Sequence, residues 1–177
     1  MTALYPRLLG AAWVGLPAEI RDMHDGPGLA TGRTVVERGA GTLARWVALL
    51  LRFPKASADA PISVRFDVSD GMETWTRTFG NEAFSSRQFA GGGRWNGLLC
   101  ESFGPLTFAM ALVLEGGRLS LVLRHWSAFA VPLPMWLGPR ALAHETAEAG
   151  RFHFHVEISH PLTGLIVRYR GWLVRKR

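Results

Sequence analysis

The sequence predicts an α+β fold: a mainly antiparallel, curved sheet of about eight strands, a half-barrel-like meander packed against two or three N-terminal helices. Three observations predict it. Apolar residues recur at helical spacing in the first third of the chain and at a period of two from Ile62 onward. Asp70-Gly71 and Gly116-Gly117 each sit between alternating segments, a strong hairpin signal. Strands joined by such short turns pair antiparallel, and helices segregated in sequence do not form βα units.

The elements follow in order. Leu4, Leu8, Leu9, Ala12, Trp13 and Leu16 predict a first helix that Pro17 breaks. A second is expected over Ala18 to His24, with Ile20 and Met23 inward. Thr31 to Arg38 reads as a short strand. Thr42 is placed to cap a helix from Leu43 to Phe53, ended by Pro54. Its apolar face is Leu43, Trp46, Val47, Leu50 and Leu51, with Arg45 and Arg52 outside.

Val64, Phe66 and Val68 then alternate with charged residues, and the return strand Glu73 to Phe79 carries Trp75, Arg77 and Phe79 on one face. Phe84 to Phe89 and Trp95 to Phe103 read as extended, with Ala90-Gly91-Gly92-Gly93 a flexible connection. Leu106 to Glu115 and Arg118 to Trp126 form a second hairpin. The prolines of Val131 to Pro139 keep that piece out of a central strand. Arg151 to Ser159 alternates with Phe152, Phe154, Val156 and Ile158 inward, and Leu165 to Val174 is the last strand.

A length of 177 residues fits a single domain over 1–177, with helical cover mainly in 1–55 and sheet mainly in 62–174. The chain is 48% apolar and 19% charged, so it folds rather than staying disordered. Seven tryptophans and ten phenylalanines imply a dense core or an aromatic-lined cavity. The single Cys100 excludes an intrachain disulfide and a four-thiolate zinc site. The first ten residues lack a leader pattern, and Leu43 to Phe53 is too short for a membrane span, so the expected location is cytoplasmic. The net charge is +6, with three cations in Arg175-Lys176-Arg177. Without a Lys/Arg-rich helix this reads as a solvated basic surface, and nucleic-acid binding is not expected.

Several stretches carry a resemblance. They are Leu4-Tyr5-Pro6-Arg7-Leu8-Leu9-Gly10, Leu16-Pro17, Trp75-Thr76-Arg77-Thr78-Phe79-Gly80 and Phe103-Gly104-Pro105-Leu106. Pro132-Leu133-Pro134, Pro161-Leu162-Thr163-Gly164 and Tyr169-Arg170-Gly171-Trp172-Leu173 continue it. Together they resemble the bacterial domain of unknown function numbered 4166, over almost the whole chain. That family occurs alone or behind an NAD(P)-binding, saccharopine-dehydrogenase-like or epimerase-like domain. The resemblance implies a self-contained module, with an NAD(P)-dependent oxidoreductase as a partner, and carries no site residues. No glycine fingerprint is present here, so no cofactor is expected.

Arg77 is the most informative charged residue. With Trp75 and Phe79 inward, period-two geometry turns it inward too. A buried guanidinium needs a partner: a ligand's carboxylate or phosphate, or a structural pair with Glu101 or another carboxylate; the remaining reading is a face that looks outward. Arg87 is an associated candidate whose face is ambiguous, because Phe84 and Phe89 have opposite parity. Arg168 and Arg170 read as outward. His153, His155 and Glu157 share one face of their strand and form a weak alternative as a metal site; the competing reading is a solvated polar face. Glu101 combines with His125 or His144 on paper only. Ser85-Ser86 and Cys100 lack a nucleophile signature. The helix Leu43 to Phe53 suits a bilayer surface, but the simpler expectation is that it fills the concave side of the sheet. Trp136 and Leu137 mark another apolar surface, a lid or partner contact. The leading reading is a binding module for a small hydrophobic or amphipathic ligand. An interaction module for an oxidoreductase partner is the alternative, and an enzyme of unrecognised class is the third.

Overall fold

The computed structural model describes residues 3–176, so Arg177 of the terminal basic run lies outside the described residues. The N-terminal helical segment is shorter than its apolar spacing predicts. Helix α1 spans Leu4–Leu9 and stops at Gly10, whose φ of +54° suits glycine. A 3-10 stretch, Gly10–Gly15, follows, and Pro17 precedes α2, Ala18–Met23. Ile20 and Met23 are buried as expected. The chain then enters β1, Gly28–Arg38, followed by α3, Thr42–Leu50. Gly41, not Thr42, caps α3, and no side-chain cap bond is made.

Ten strands follow: β2 (Ser57–Ser69), β3 (Met72–Phe79), β4 (Glu82–Ala90), β5 (Leu99–Phe103), β6 (Leu106–Glu115), β7 (Arg118–Ala128), β8 (Val131–Leu133), β9 (Arg140–Glu148), β10 (Arg151–His160) and β11 (Gly164–Lys176). Asp70-Gly71 and Gly116-Gly117 all have positive φ, as the hairpin signal requires. All neighbouring strands pair antiparallel.

The sheet corrects the expectation of an eight-strand half-barrel. Its order is β6-β5-β4-β3-β2-β1-β11-β10-β9-β7-β8, and β6 also pairs with β7, so ten strands close into a barrel. β8 is an extra strand on the far half of β7, opposite Trp126 to Ala128, and its prolines stand at an edge as their missing donors demand. The closing strand is β9, which joins β7 at Leu119 to Val122 and β10 along its length. Closure removes the exposed sheet edges that an open meander would leave.

Alternating connections put α1 and α2 at one end of the barrel and α3 at the other. The helical plug is pinned by Arg175, which donates to the backbone carbonyls of Asp22, Met23, Gly26 and Pro27. Arg175 is thus a structural clasp and not part of a solvated basic tail. Among the described residues no helix is long and apolar enough to cross a membrane.

The β1–β11 seam requires close backbone approach. A Cβ on Gly171 would stand 2.1 Å from the carbonyl oxygen of Arg33, and one on Gly32 would stand 1.8 Å from that of Trp172. Gly171→Ala should therefore lower stability by about 3 kcal/mol in equilibrium urea unfolding. Gly92→Ala, where a Cβ meets nothing within 4 Å, should stay within about 0.5 kcal/mol of the parent.

Candidate functional site

The barrel encloses a cavity of about 370 Å³. Strand alternation builds its floor. On β3, Glu73, Trp75, Arg77 and Phe79 are all buried, so Arg77 does point inward between the aromatics. On β4 the inward set is Phe84, Ser86 and Gln88, and β5 contributes Glu101.

Arg77 meets its charge partner within the protein. Its Nη2 donates to Glu101 Oε1 at 3.0 Å, and its Nη1 to Ser86 Oγ at 2.7 Å. Ser86 Oγ in turn donates to the same Glu101 oxygen at 2.5 Å. The guanidinium stands 5.1 Å from the Trp75 ring centroid and 5.5 Å from that of Phe84. Burial alone would depress the Arg77 pKa, but the Glu101 carboxylate and its neighbours outweigh it, and the net shift is upward. Arg87 is exposed between inward Ser86 and Gln88, so it stands outside the cavity group.

The plug supplies the rest of the floor. Tyr5 stacks on His24 with ring centroids 3.6 Å apart and donates from its hydroxyl to Gln88 Oε1 at 3.2 Å. Burial, reinforced by Glu145, Glu101 and Glu73, holds the Tyr5 phenol well above its ordinary value, so it stays neutral. His24 Nε2 lies 2.7 Å from Glu145 Oε2 of the closing strand. Glu73 accepts the Leu4 backbone N–H at 3.2 Å and Trp75 Nε1–H at 3.1 Å, which ties α1 to β3. The β3 residues were legible from parity. Tyr5, His24 and Glu145 were not, since a helix and an alanine-rich strand give no periodic signal of a buried polar contact.

Above the floor the walls turn apolar, with Phe53, Phe103, Phe108, Phe154, Val156 and Ile158 among them. Helix α3 lies across the end opposite the plug. Ala44 and Ala48 are buried, while Leu43, Val47 and Leu51 line the cavity. Arg38 Nη2 donates to the carbonyls of Ala48 and Phe53 and secures the helix's C-terminal end.

The outer wall holds the histidines. His153, His155 and Glu157 alternate with inward Phe154 and Val156, as expected. Arg168 Nε donates to Glu157 at 2.8 Å, and His155 stacks on His144 at 5.0 Å. Among the described residues no three His, Cys, Asp or Glu side chains converge on a metal position. His125 is exposed beside Trp95, and neither it nor His144 bonds to Glu101.

Burial, with Arg118 and His155, lowers the His144 pKa from 6.5 to about 4. The unfolded chain then takes up a proton that the folded protein refuses. This contribution to stability is whole above pH 6.5 and is lost as pH falls toward about 4. His144→Gln should show a smaller drop in urea midpoint across that interval than the parent shows.

No curated protein matches the chain in sequence. Among solved structures, the Rep1-NXSQ fatty acid transporter is 8% identical, with 83% of this chain and 94% of that one covered, at a TM-score of 0.38. A putative thioesterase II from Thermobifida fusca YX is 8% identical over 86% and 79%, at 0.24. The acyl-CoA thioesterase II TesB2 from Mycobacterium marinum is 10% identical over 98% and 91%, also at 0.24. Likeness at these scores carries no argument about function. The family is a different matter: a model described as "Domain of unknown function (DUF4166)" matches residues 16–173, and the chain belongs to that family.

Proposed function

We propose that residues 1–177 act as one module that encloses a single hydrophobic or amphipathic molecule, its apolar body against the aromatic wall and its polar end on the floor. The observation that carries this reading is the cavity of about 370 Å³, its wall mostly apolar and its charged side chains, Arg77, Glu101 and Glu145, gathered at the base. Ligand sites of about 300–1,000 Å³ are mostly apolar with a few placed polar groups. A module whose only task was to dock on an NAD(P)-dependent oxidoreductase would need no such interior. The enzyme reading is weakened because Glu101 is engaged by Arg77 and Ser86, and Glu145 by His24.

The floor also selects the head group. The side chains of Glu101 and Glu145 both line the cavity, against the single guanidinium of Arg77. Arg77 commits one N–H of each Nη nitrogen to Ser86 and Glu101 within the protein. A carboxylate or phosphate head would add like charge where water does not screen it. A neutral head with a hydroxyl or amide donor instead offers its hydrogen to Glu101 or Glu145. In this reading Trp75, Arg77 and Glu101 bind the ligand, and Arg77 works by orienting Glu101. Phe79 backs the wall through its stack on Phe84, with centroids 5.8 Å apart.

Displacement of the neutral probe N-phenyl-1-naphthylamine tests the assignment. A long-chain alcohol should displace it at concentrations about tenfold lower than the fatty acid of equal length, ~1.4 kcal/mol. Glu101→Gln frees the Arg77 fork and should shift the preference toward the acid by about tenfold. Failure of either ligand to displace the probe, together with no copurifying mass in native mass spectrometry of untagged protein, would overturn the binding reading.

A further inference from the structure

The end of the barrel that α3 covers is built unlike the surface of a protein surrounded by water. A surface helix normally turns a polar face outward. Here α3 is apolar on both sides: Ala44 and Ala48 pack inward, while Trp46 is 66% exposed and Leu50 82% exposed, with Leu49 beside them. Two other connections bring apolar side chains to the same end. Trp136, 76% exposed, lies in the 3-10 turn Met135–Leu137, and Leu162, 82% exposed, lies in the turn between β10 and β11. His160 Nε2 stands 3.3 Å from the Leu137 carbonyl oxygen and ties those two connections together.

Two features identify what this surface meets. The first is charge. Arg45, Arg52 and Arg140 are exposed there and form no ion pair among the described residues. The carboxylate of Glu82, in the turn between β3 and β4, is matched by Lys55 at 2.9 Å. Exposed Asp22, Asp25, Asp70, Glu115 and Glu148 all belong to the opposite, plugged end. The second is continuity: Leu43 and Leu162 are exposed and also line the cavity, so the apolar surface runs into the interior.

We propose that this mouth docks on an anionic phospholipid surface, with α3 lying in the interface, and that the ligand passes between bilayer and cavity beneath Leu43 and Leu162. Trp and Leu on the outward face with Arg at its edges suit the boundary between lipid headgroups and acyl chains. A second copy of the chain fits less well. A two-fold interface would set the unpaired arginines near their own copies with no carboxylate to offset them. Docking rests on the surface alone, whereas ligand passage also rests on the binding reading above.

Flotation with vesicles, followed by tryptophan emission, tests the proposal on the full chain. The protein should float with vesicles of equal phosphatidylcholine and phosphatidylglycerol, with a blue shift, and bind pure phosphatidylcholine about tenfold more weakly. The pair Trp46→Ser with Leu50→Ser should weaken binding more than about tenfold. Arg45→Glu with Arg52→Glu should erase the preference for anionic vesicles. Val68→Ser, near the plugged end, should change nothing. These side chains are exposed, and an unchanged thermal midpoint would confirm that the variants fold. Docking is overturned if the parent floats with neither vesicle, or if the Trp46/Leu50 variant floats as the parent does. It is also overturned if the parent is a stable dimer that those two substitutions split. Vesicle failure with intact probe displacement removes docking alone; vesicle binding without probe entry removes the cavity reading and keeps docking.

Discussion

The contact between His24 and Glu145 joins the two parts on which the cavity depends. Glu145 belongs to β9, the strand that closes the barrel, and His24 ends the helical plug that seals its base. Removing one partner would leave a buried polar group without compensation, which costs more than the pair contributes net. The pair therefore acts as a condition of assembly: plug and closing strand are correct together or not at all. Tyr5 packs on His24 from above, so the same contact also sets the level of the cavity floor.

That floor follows the rule for buried charge, since each ionised group is held by neighbours. Glu101 shares one oxygen between Arg77 and Ser86, and Glu73 spends one oxygen on the Leu4 N–H of the plug and the other on Trp75 of its own strand. Selectivity toward a ligand comes from what this arrangement leaves over. One N–H on each Nη of the guanidinium is taken by Ser86 and Glu101, while the carboxylates retain lone pairs. A site that reads in sequence as an anion grip thus becomes, once partners are assigned, an acceptor for hydrogen-bond donors.

The limits of sequence reading have a physical cause in particular residues. Trp75, Arg77 and Phe79 were legible because large side chains at a period of two mark a face without further information. Glu101 was one of several alternatives for the partner of Arg77, and only the register of β4 and β5 brings the two together. β9 was illegible. Its inward side chains are Ala141, Ala143 and Glu145, too small or too polar to raise a hydrophobic alternation. The strand that turns a half-barrel into a barrel is thus the one with the weakest signal. Small residues suit it because larger ones would fill the space that the cavity occupies.

The aromatic abundance was read as either a dense core or a lined cavity, and it divides along a third line. Of the seven tryptophans, Trp75 lines the cavity and Trp126 is buried with its Nε1 donating to the Pro134 carbonyl. Trp46 and Trp136 stand in solvent at the mouth. A barrel of this size cannot use all its apolar side chains inside and remain hollow, so part of them must face outward. Scattered outward residues would need no explanation. Trp46, Leu50, Trp136 and Leu162, gathered at the end that leads inside and bordered by unpaired arginines, extend the cavity's own chemistry onto the surface, which makes the mouth part of the site.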